Sequence, residues 1–216
     1  MEATTSDGRR RPGSDGEHAL QRILGTEARA DRFYREHVRD HLNDRMIEFI
    51  DAQELVFIST ADGRGECDAG LRAGPPGFVV VLDEVTVAYP EYRGNGVMSS
   101  LGNMAENAHV GLLFVDFLHD MVGLHVNGTA RVRADRDMRA HHPWLPEEGA
   151  PGHRPEMWVV VSVQEAYIDT AEHIPRLARV PRNRTWGTHP ARRRDGDYFG
   201  TAAELGLLRR WRPPGA

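Results

Sequence analysis

No lysine occurs in this chain of 216 residues; all 27 of its basic side chains are arginine. A lysine Schiff base, of the kind that anchors pyridoxal phosphate or activates a carbonyl substrate, is therefore excluded. Any phosphate must be held by guanidinium groups, backbone amides and hydroxyls, and guanidinium offers a fixed bidentate fork where lysine offers a mobile point charge. Cysteine is nearly as scarce. Cys67 stands alone, which excludes an intramolecular disulfide and a cysteine-rich zinc site, and its thiol is expected to pack as a small, partly buried group rather than act as a nucleophile. Long apolar runs are missing as well: none approaches the roughly 18 residues of a membrane span, and the polar N-terminus has no apolar stretch behind it. A cytoplasmic protein without a membrane partner is expected. Excess positive charge is also lacking. A net charge of −5 argues against a nucleic-acid partner, which requires a concentrated basic face. The local clusters Arg9 to Arg11 and Arg192 to Arg194 sit among Gly, Pro and Asp, as solvated tails or loops do.

What is present is a chain 40% hydrophobic, sufficient for one domain with appendages. Residues 1–16 carry almost no apolar side chains and are expected to form a disordered tail. Residues 17–53 read as a helical region. There Phe33, Val38, Leu42, Met46, Phe49 and Ile50 recur at near-helical spacing without Gly or Pro, predicting one helix over 31–52. His37 and His41 would lie one turn apart on it, but the acidic third ligand of a metalloprotease pattern is missing, so no metal is expected.

After that the period changes to two. Strands are predicted over 55–60 and 66–71 about a turn at Asp62 and Gly63, over 78–82 and 85–89 about Asp83 and Glu84, and over 110–117, 124–132 and 157–168. Six or seven strands joined by short turns, with helices gathered at the start and in one short crossover, predict an α+β fold built on an antiparallel barrel. Strand and helix do not alternate, which argues against a parallel nucleotide-binding sheet. Residues 141–155 are a proline-rich surface excursion. Residues 171–216 carry Trp186, Tyr198, Phe199 and Trp211 in polar surroundings, and such aromatics need an apolar surface. This extension is expected to pack on the barrel or on a partner subunit.

The densest functional signal is the loop from Glu91 to Ser100. Arg93, Gly94, Asn95 and Gly96 supply a cation, an amide and two positions without a Cβ. Ser99 or Ser100 is then expected to cap a helix with Leu101, Met104, Ala105 and Ala108 on one face. A phosphate there would meet free backbone donors, the positive end of a helix and a guanidinium together.

The segments GPPGFVVVLDEVTVAYPEYRGNG, SLGNMAENAHVGLLF and HVNGTARV, within Val56 to Val132, resemble the flavin-binding split-barrel family typified by pyridoxamine 5′-phosphate oxidase. AYIDTAEHIPRL after the last strand is similar to the oxidase-like subfamily of mostly unassigned substrate. The resemblance implies a six- to seven-stranded Greek-key split β-barrel over 54–170 and a homodimer binding FMN in two equivalent clefts at the subunit interface. It implies FMN-dependent oxidoreductase activity on a small organic substrate. Carried over by residue, the strand with Gly70, Leu71 and Arg72 and the strand end with Ala88 and Tyr89 would line the isoalloxazine. Arg72 would take the flavin phosphate; Arg93, Asn95, Ser99 and Ser100 would complete that end. Asn127 would approach the cofactor, and Trp186 of the other subunit would cover it. His125 and Tyr89 are the candidates for a catalytic side chain, although hydride transfer by a flavin requires none. Two departures stand out. Gly96 and Val97 occupy the place of the family's basic pair, and LLRRWRPPGA does not reproduce the C-terminal arginine and histidine motif that holds pyridoxamine phosphate. Vitamin oxidation is thus not the expected activity, and the alternative is a non-catalytic split barrel that binds flavin, haem or a deazaflavin.

Overall fold

The computed structural model describes residues 11–92, 96–145, 155–169, 173–179 and 201. The alternation that builds the barrel is clearest in β1 (Leu55–Ala61), where Val56, Ile58 and Thr60 are buried while Phe57 and Ser59 face outward. It is followed by β2 (Cys67–Ala73), β3 (Val80–Asp83) and β4 (Thr86–Glu91), the helix α4 (Ser99–Glu106), then β5 (His109–Val115), β6 (Gly123–Ala134) and β7 (Met157–Asp169). These seven strands form one sheet in the order β2-β1-β5-β6-β7-β4-β3, with every neighbouring pair antiparallel. Val56, Ile58, Leu112, Phe114, Val126, Val87, Tyr89, Val159 and Val161 fill the interior. Each such side chain contributes about 1.5–3 kcal/mol on burial. The α+β split-barrel class expected from the sequence is the one observed.

The strands at the two ends of the sheet, β2 and β3, do not pair, so the barrel has a seam. It is bridged by side chains. The Arg72 guanidinium on β2 reaches Glu91 at the end of β4, with Nε and Nη2 each 2.8 Å from Oε1. α4 runs from β4 back to β5; Met104 is buried in the core, and the Asn103 amide donates to the Thr60 hydroxyl at 3.1 Å.

Three helices precede the barrel: α1 (Asp15–Leu24), α2 (Glu27–His37) and α3 (Asp44–Ala52). The first starts inside the stretch expected to be a disordered tail. Ser14 and Glu17 form a reciprocal capping box, the Glu17 N–H donating to Ser14 Oγ at 3.2 Å and the Ser14 N–H to Glu17 Oε2 at 2.6 Å. Arg11 pairs with Asp31 at 2.7 Å. Residues 1–10 lie outside the described residues.

The single helix predicted over 31–52 is broken. Residues 38–43 are not helical, because the part of β7 beyond Ser162 has no β4 partner, and buried backbone groups must be paired. Arg39 supplies the partner, with main-chain bonds to Ala166 of 3.0 and 2.8 Å, and the Leu42 N–H donates to Glu84 at 2.7 Å. Asn43 then caps α3 by accepting from the Met46 N–H at 3.0 Å. The break also removes the helical juxtaposition of His37 and His41.

A helix that the sequence did not announce, α5 (Asp135–His141), follows β6. Its buried Asp135 accepts from Arg139 at 2.9 and 3.0 Å and from the Trp158 indole at 2.9 Å. Together with Val80, Ala88, Met138 and Leu145, Trp158 forms a second small core. No helix among the described residues is long and apolar enough to cross a membrane.

Candidate functional site

On β2 the inward positions are Asp68, Gly70 and Arg72, for each pairs with a buried β1 residue: Thr60, Ile58 and Val56. On β4 the alternation places Tyr89 and Glu91 on one face. α4 adds Ser100, which is buried. These residues meet at the seam. A Cβ on Gly70 would lie 2.9 Å from Arg72 Nη1 and 3.4 Å from Ser100 Oγ, so glycine is what leaves that corner open.

Each polar group there already faces a carboxylate or an apolar wall. Arg72 holds Glu91, and its Nη1 donates to the Leu71 carbonyl at 3.2 Å. The Ser100 hydroxyl donates to Asp68 Oδ2 at 3.2 Å. The Tyr89 hydroxyl is fully buried without a hydrogen-bond partner among the described residues. Burial, with the Glu91 charge beside it, pushes the Tyr89 phenol far above its ordinary value, so it remains a neutral donor and does not serve as a base. Burial also raises the Glu91 carboxyl, against the opposing pull of Arg72.

The cap expected from Ser99 or Ser100 is absent. The residue before α4 is Met98, in the left-handed region at φ 57°, and no side chain caps the helix. Ser99 is exposed and Ser100 turns to Asp68 instead. The first N–H groups of α4 are consequently left without intrahelical partners at the edge of the seam.

The remaining predicted residues lie elsewhere. Leu71 points to the outer face and is 54% exposed. Ala88 is enclosed in the second core against Met138 and Trp158. Asn127 and His125 sit on the outer face of β6, because their pairing partners continue a row of outward residues. Asn127 follows Ala69, Ser59 and Gly111, and His125 follows Leu71, Phe57 and Leu113. His125 stacks on Tyr167 with ring centroids 4.7 Å apart and stands 3.7 Å from the Asp169 carboxylate. Asn127 faces the Tyr167 hydroxyl, and its pull on the phenol opposes the burial that raises it. Arg93, Asn95 and Trp186 lie outside the described residues. Cys67, expected to be partly buried, is exposed at the start of the edge strand β2.

A cavity of about 540 Å³ adjoins this outer face, between the sheet at Asn127, Glu165 and Tyr167 and the helices α1 and α2, which contribute Gln21, Phe33 and Tyr34. Sequence reasoning missed Glu91, Asp68 and Tyr167. The first two were legible as i, i+2 neighbours of Tyr89 and Gly70; Tyr167 needed the register of β7 on β6.

A seven-stranded antiparallel split barrel with a polar cluster at its seam defines the class, and the family follows. The chain belongs to the pyridoxamine 5′-phosphate oxidase family, whose model matches residues 42–168. Among solved structures it is similar to a candidate pyridoxamine 5′-phosphate oxidase from Lactobacillus delbrueckii, at 21% identity over 60% of this chain and 95% of that one, with a TM-score of 0.46. It is also similar to HupZ of Group A Streptococcus, at 19% identity over 58% and 91%, TM-score 0.43. A third is the FAD binding protein from Mycobacterium smegmatis, at 19% identity over 61% and 97%, TM-score 0.41. No curated protein matches the chain.

Proposed function

We propose that this protein is a flavin-dependent oxidoreductase that binds FMN and acts on a small organic substrate in the cytoplasm. The observation that carries the reading is the seam cluster in a chain of this family. One guanidinium, one hydroxyl and the uncapped start of a helix converge where a missing Cβ leaves room. Those groups suit a phosphate: Arg72 and Ser100 would hold its oxygens, and the free N–H groups of α4 would add to them. Bound there, the flavin supplies hydride chemistry. Arg72, Ser100 and α4 position it, and Tyr89 contributes a neutral hydrogen-bond donor.

The same proposal includes a homodimer. Asn127 and His125 lie on the opposite sheet face from Gly70 and Arg72, so one copy cannot bring them to one ligand. Two copies can, the outer face of one lying over the seam of the other. Leu71 and Phe57, 54% and 41% exposed, would be covered in that arrangement.

Purified protein titrated with FMN tests the reading by flavin fluorescence and absorbance. Saturable uptake, with bands that bleach on adding a reductant and return in air, supports it; no uptake of FMN overturns it. One observation favours a second reading, a binding protein without turnover. Arg72 is already neutralised by Glu91, and the buried Tyr89 phenol stays protonated, so neither offers a base. FMN uptake with no turnover of any reductant or substrate supplied would select that reading. A protein that instead takes up haem or a deazaflavin would select its phosphate-independent form.

A further inference from the structure

We propose that Glu91 is an internal competitor for the anion site: it occupies Arg72 in place of a ligand phosphate, so that binding requires its release and draws one proton onto its carboxyl. The inference rests on the reading of Arg72 as the phosphate arginine.

The geometry shows the competition. A single carboxylate oxygen of Glu91 accepts from both Nε and Nη2 of Arg72 at 2.8 Å, which is the edge of the guanidinium that grips a phosphate bidentately. Nη1 is turned to the Leu71 carbonyl. The second candidate phosphate ligand is engaged in the same way, the Ser100 hydroxyl donating to Asp68. The charged groups at the seam among the described residues are thus Arg72 against Glu91 and Asp68. A dianion entering it meets one positive charge and two negative ones. Tyr89, two residues before Glu91 on the same strand, stays neutral and adds no charge. Glu91 is 13% exposed. Once displaced from Arg72 it would be a buried carboxylate without a cation, which is the condition under which a carboxyl takes up a proton. Glu91 is already raised by burial while Arg72 holds it, so release of Arg72 moves it further in the same direction.

The proton uptake makes phosphate binding weaken as pH rises, by up to about tenfold per unit where Glu91 is ionised beforehand. The second ionisation of the FMN phosphate, near about 6, acts with the opposite sign and is complete at higher pH, so the measurement belongs above neutrality.

FMN and riboflavin should be titrated against wild type and Glu91→Gln between about pH 7 and 9, a range chosen from that ionisation. The expected result is FMN affinity that falls with pH in wild type but is flat in Glu91→Gln, and at the top of the range at least tenfold tighter in the variant. Riboflavin, lacking the phosphate, should show neither effect. Equal FMN affinity and equal slope in the two proteins would overturn the proposal. If neither flavin binds either protein, the flavin reading fails and sulfate decides the present one by thermal shift. A larger rise in Glu91→Gln than in wild type, with Arg72→Ala unresponsive, supports it, and equal rises overturn it. Should Glu91→Gln not fold, wild-type binding measured calorimetrically in two buffers of different ionisation enthalpy gives the proton count: uptake supports the competition, and zero overturns it.

Discussion

The seam and the outer face of β6 and β7 are made of similar residues, yet they are organised in opposite ways. At the seam, Arg72 and Glu91 pair across strands that share no main-chain bonds, Ser100 of α4 pairs with Asp68, and Tyr89 is left buried without a partner among the described residues. On the outer face, His125, Asn127 and Tyr167 sit on β6 and β7, which pair with each other, and His125 stacks on Tyr167 next to a cavity roofed by α1 and α2. Side chains at the seam hold the ends of the sheet together, and in the proposed function they exchange partners with a ligand. Those on the outer face decorate a sheet whose main chain holds without them. Polar groups with similar chemistry therefore differ in what their removal costs, according to whether the backbone beneath them is already paired.

The sharpest break in that scheme is Gly128→Ala. The β6–β7 register shifts at Asn127 and Gly128, and this bulge decides which face Asn127 presents. A Cβ on Gly128 would stand 2.0 Å from the Ser162 carbonyl oxygen, a main-chain atom that cannot rotate away. The variant should lose about 3 kcal/mol or more of stability, the upper end for overpacking, read as a shift in denaturant midpoint. Gly102→Ala on α4 is the contrast, since a Cβ there meets nothing within 4 Å. It should gain up to about 1 kcal/mol from helix propensity.

Arg72→Ala comes next and separates binding from stability at the seam. FMN affinity should fall by about 1.5–3 kcal/mol, the range for charged hydrogen bonds, and unchanged affinity would remove Arg72 from the phosphate site. The apoprotein should also lose about 2 kcal/mol at neutral pH, because Glu91 is left as an unpaired carboxylate in a largely buried position. The sign with pH follows from the raised Glu91 carboxyl. A folded state that holds the proton more tightly than the unfolded chain is stabilised as pH falls from above the folded value toward the ordinary carboxyl range, and loses that stability as pH rises. The penalty of Arg72→Ala should hence shrink on acidification. A penalty independent of pH would show that Glu91 is not the group left behind.

The barrel was legible in the sequence because its strands alternate strongly: Val56, Ile58 and Thr60 against Phe57 and Ser59 dictate which side is core. Of the residues expected to share one site, Gly70, Arg72 and Ser100 do converge. What alternation could not supply was the closure of the sheet. Arg72 and Glu91 are 19 residues apart and on strands that never pair, so only the curvature of the whole sheet brings them together. Asn127 and His125 were placed with Gly70 and Arg72 because the resemblance implied one shared site, while a single copy puts them on opposite faces. The break after His37 was hidden for a related reason: residues 38–43 keep helical spacing of apolar side chains, but the unpaired edge of β7 claims their backbone. The capping box at Ser14 and Glu17 was written in the sequence and obscured by its polar surroundings.

Tyr89→Phe tests whether the seam stores an unsatisfied group for a ligand. The hydroxyl has no partner, so its removal should be neutral or stabilising by about 1 kcal/mol, since a buried donor left unmade costs that order. If the hydroxyl donates to bound FMN, the same variant should bind FMN more weakly while melting higher. Loss of stability would mean that the hydroxyl has a partner in solution, and the seam would lose a free side-chain donor.

The smallest effect is expected on the outer face, from Tyr167→Phe. The change deletes the hydroxyl that faces Asn127 and leaves the ring stacked on His125 and packed edge-on to Phe33, with centroids 4.7 and 6.1 Å away. Tyr167 is only partly buried, so water can replace the lost partner, and the cost should be at most about 1 kcal/mol. The β6–β7 pairs that flank it along the strand, Val126 with Ala166 and Leu124 with Ile168, stay in place, so the loss has no route into the register. In a monomer, flavin affinity should not change, because the residue lies across the sheet from Arg72. In the proposed homodimer the outer face of one copy covers the seam of the other, and loosening Asn127 would then weaken FMN binding in step with dimer concentration. Titrating FMN against wild type and Tyr167→Phe at two protein concentrations tells these apart: a difference that grows on dilution places the two regions on opposite sides of one cleft, and none at either concentration keeps them separate.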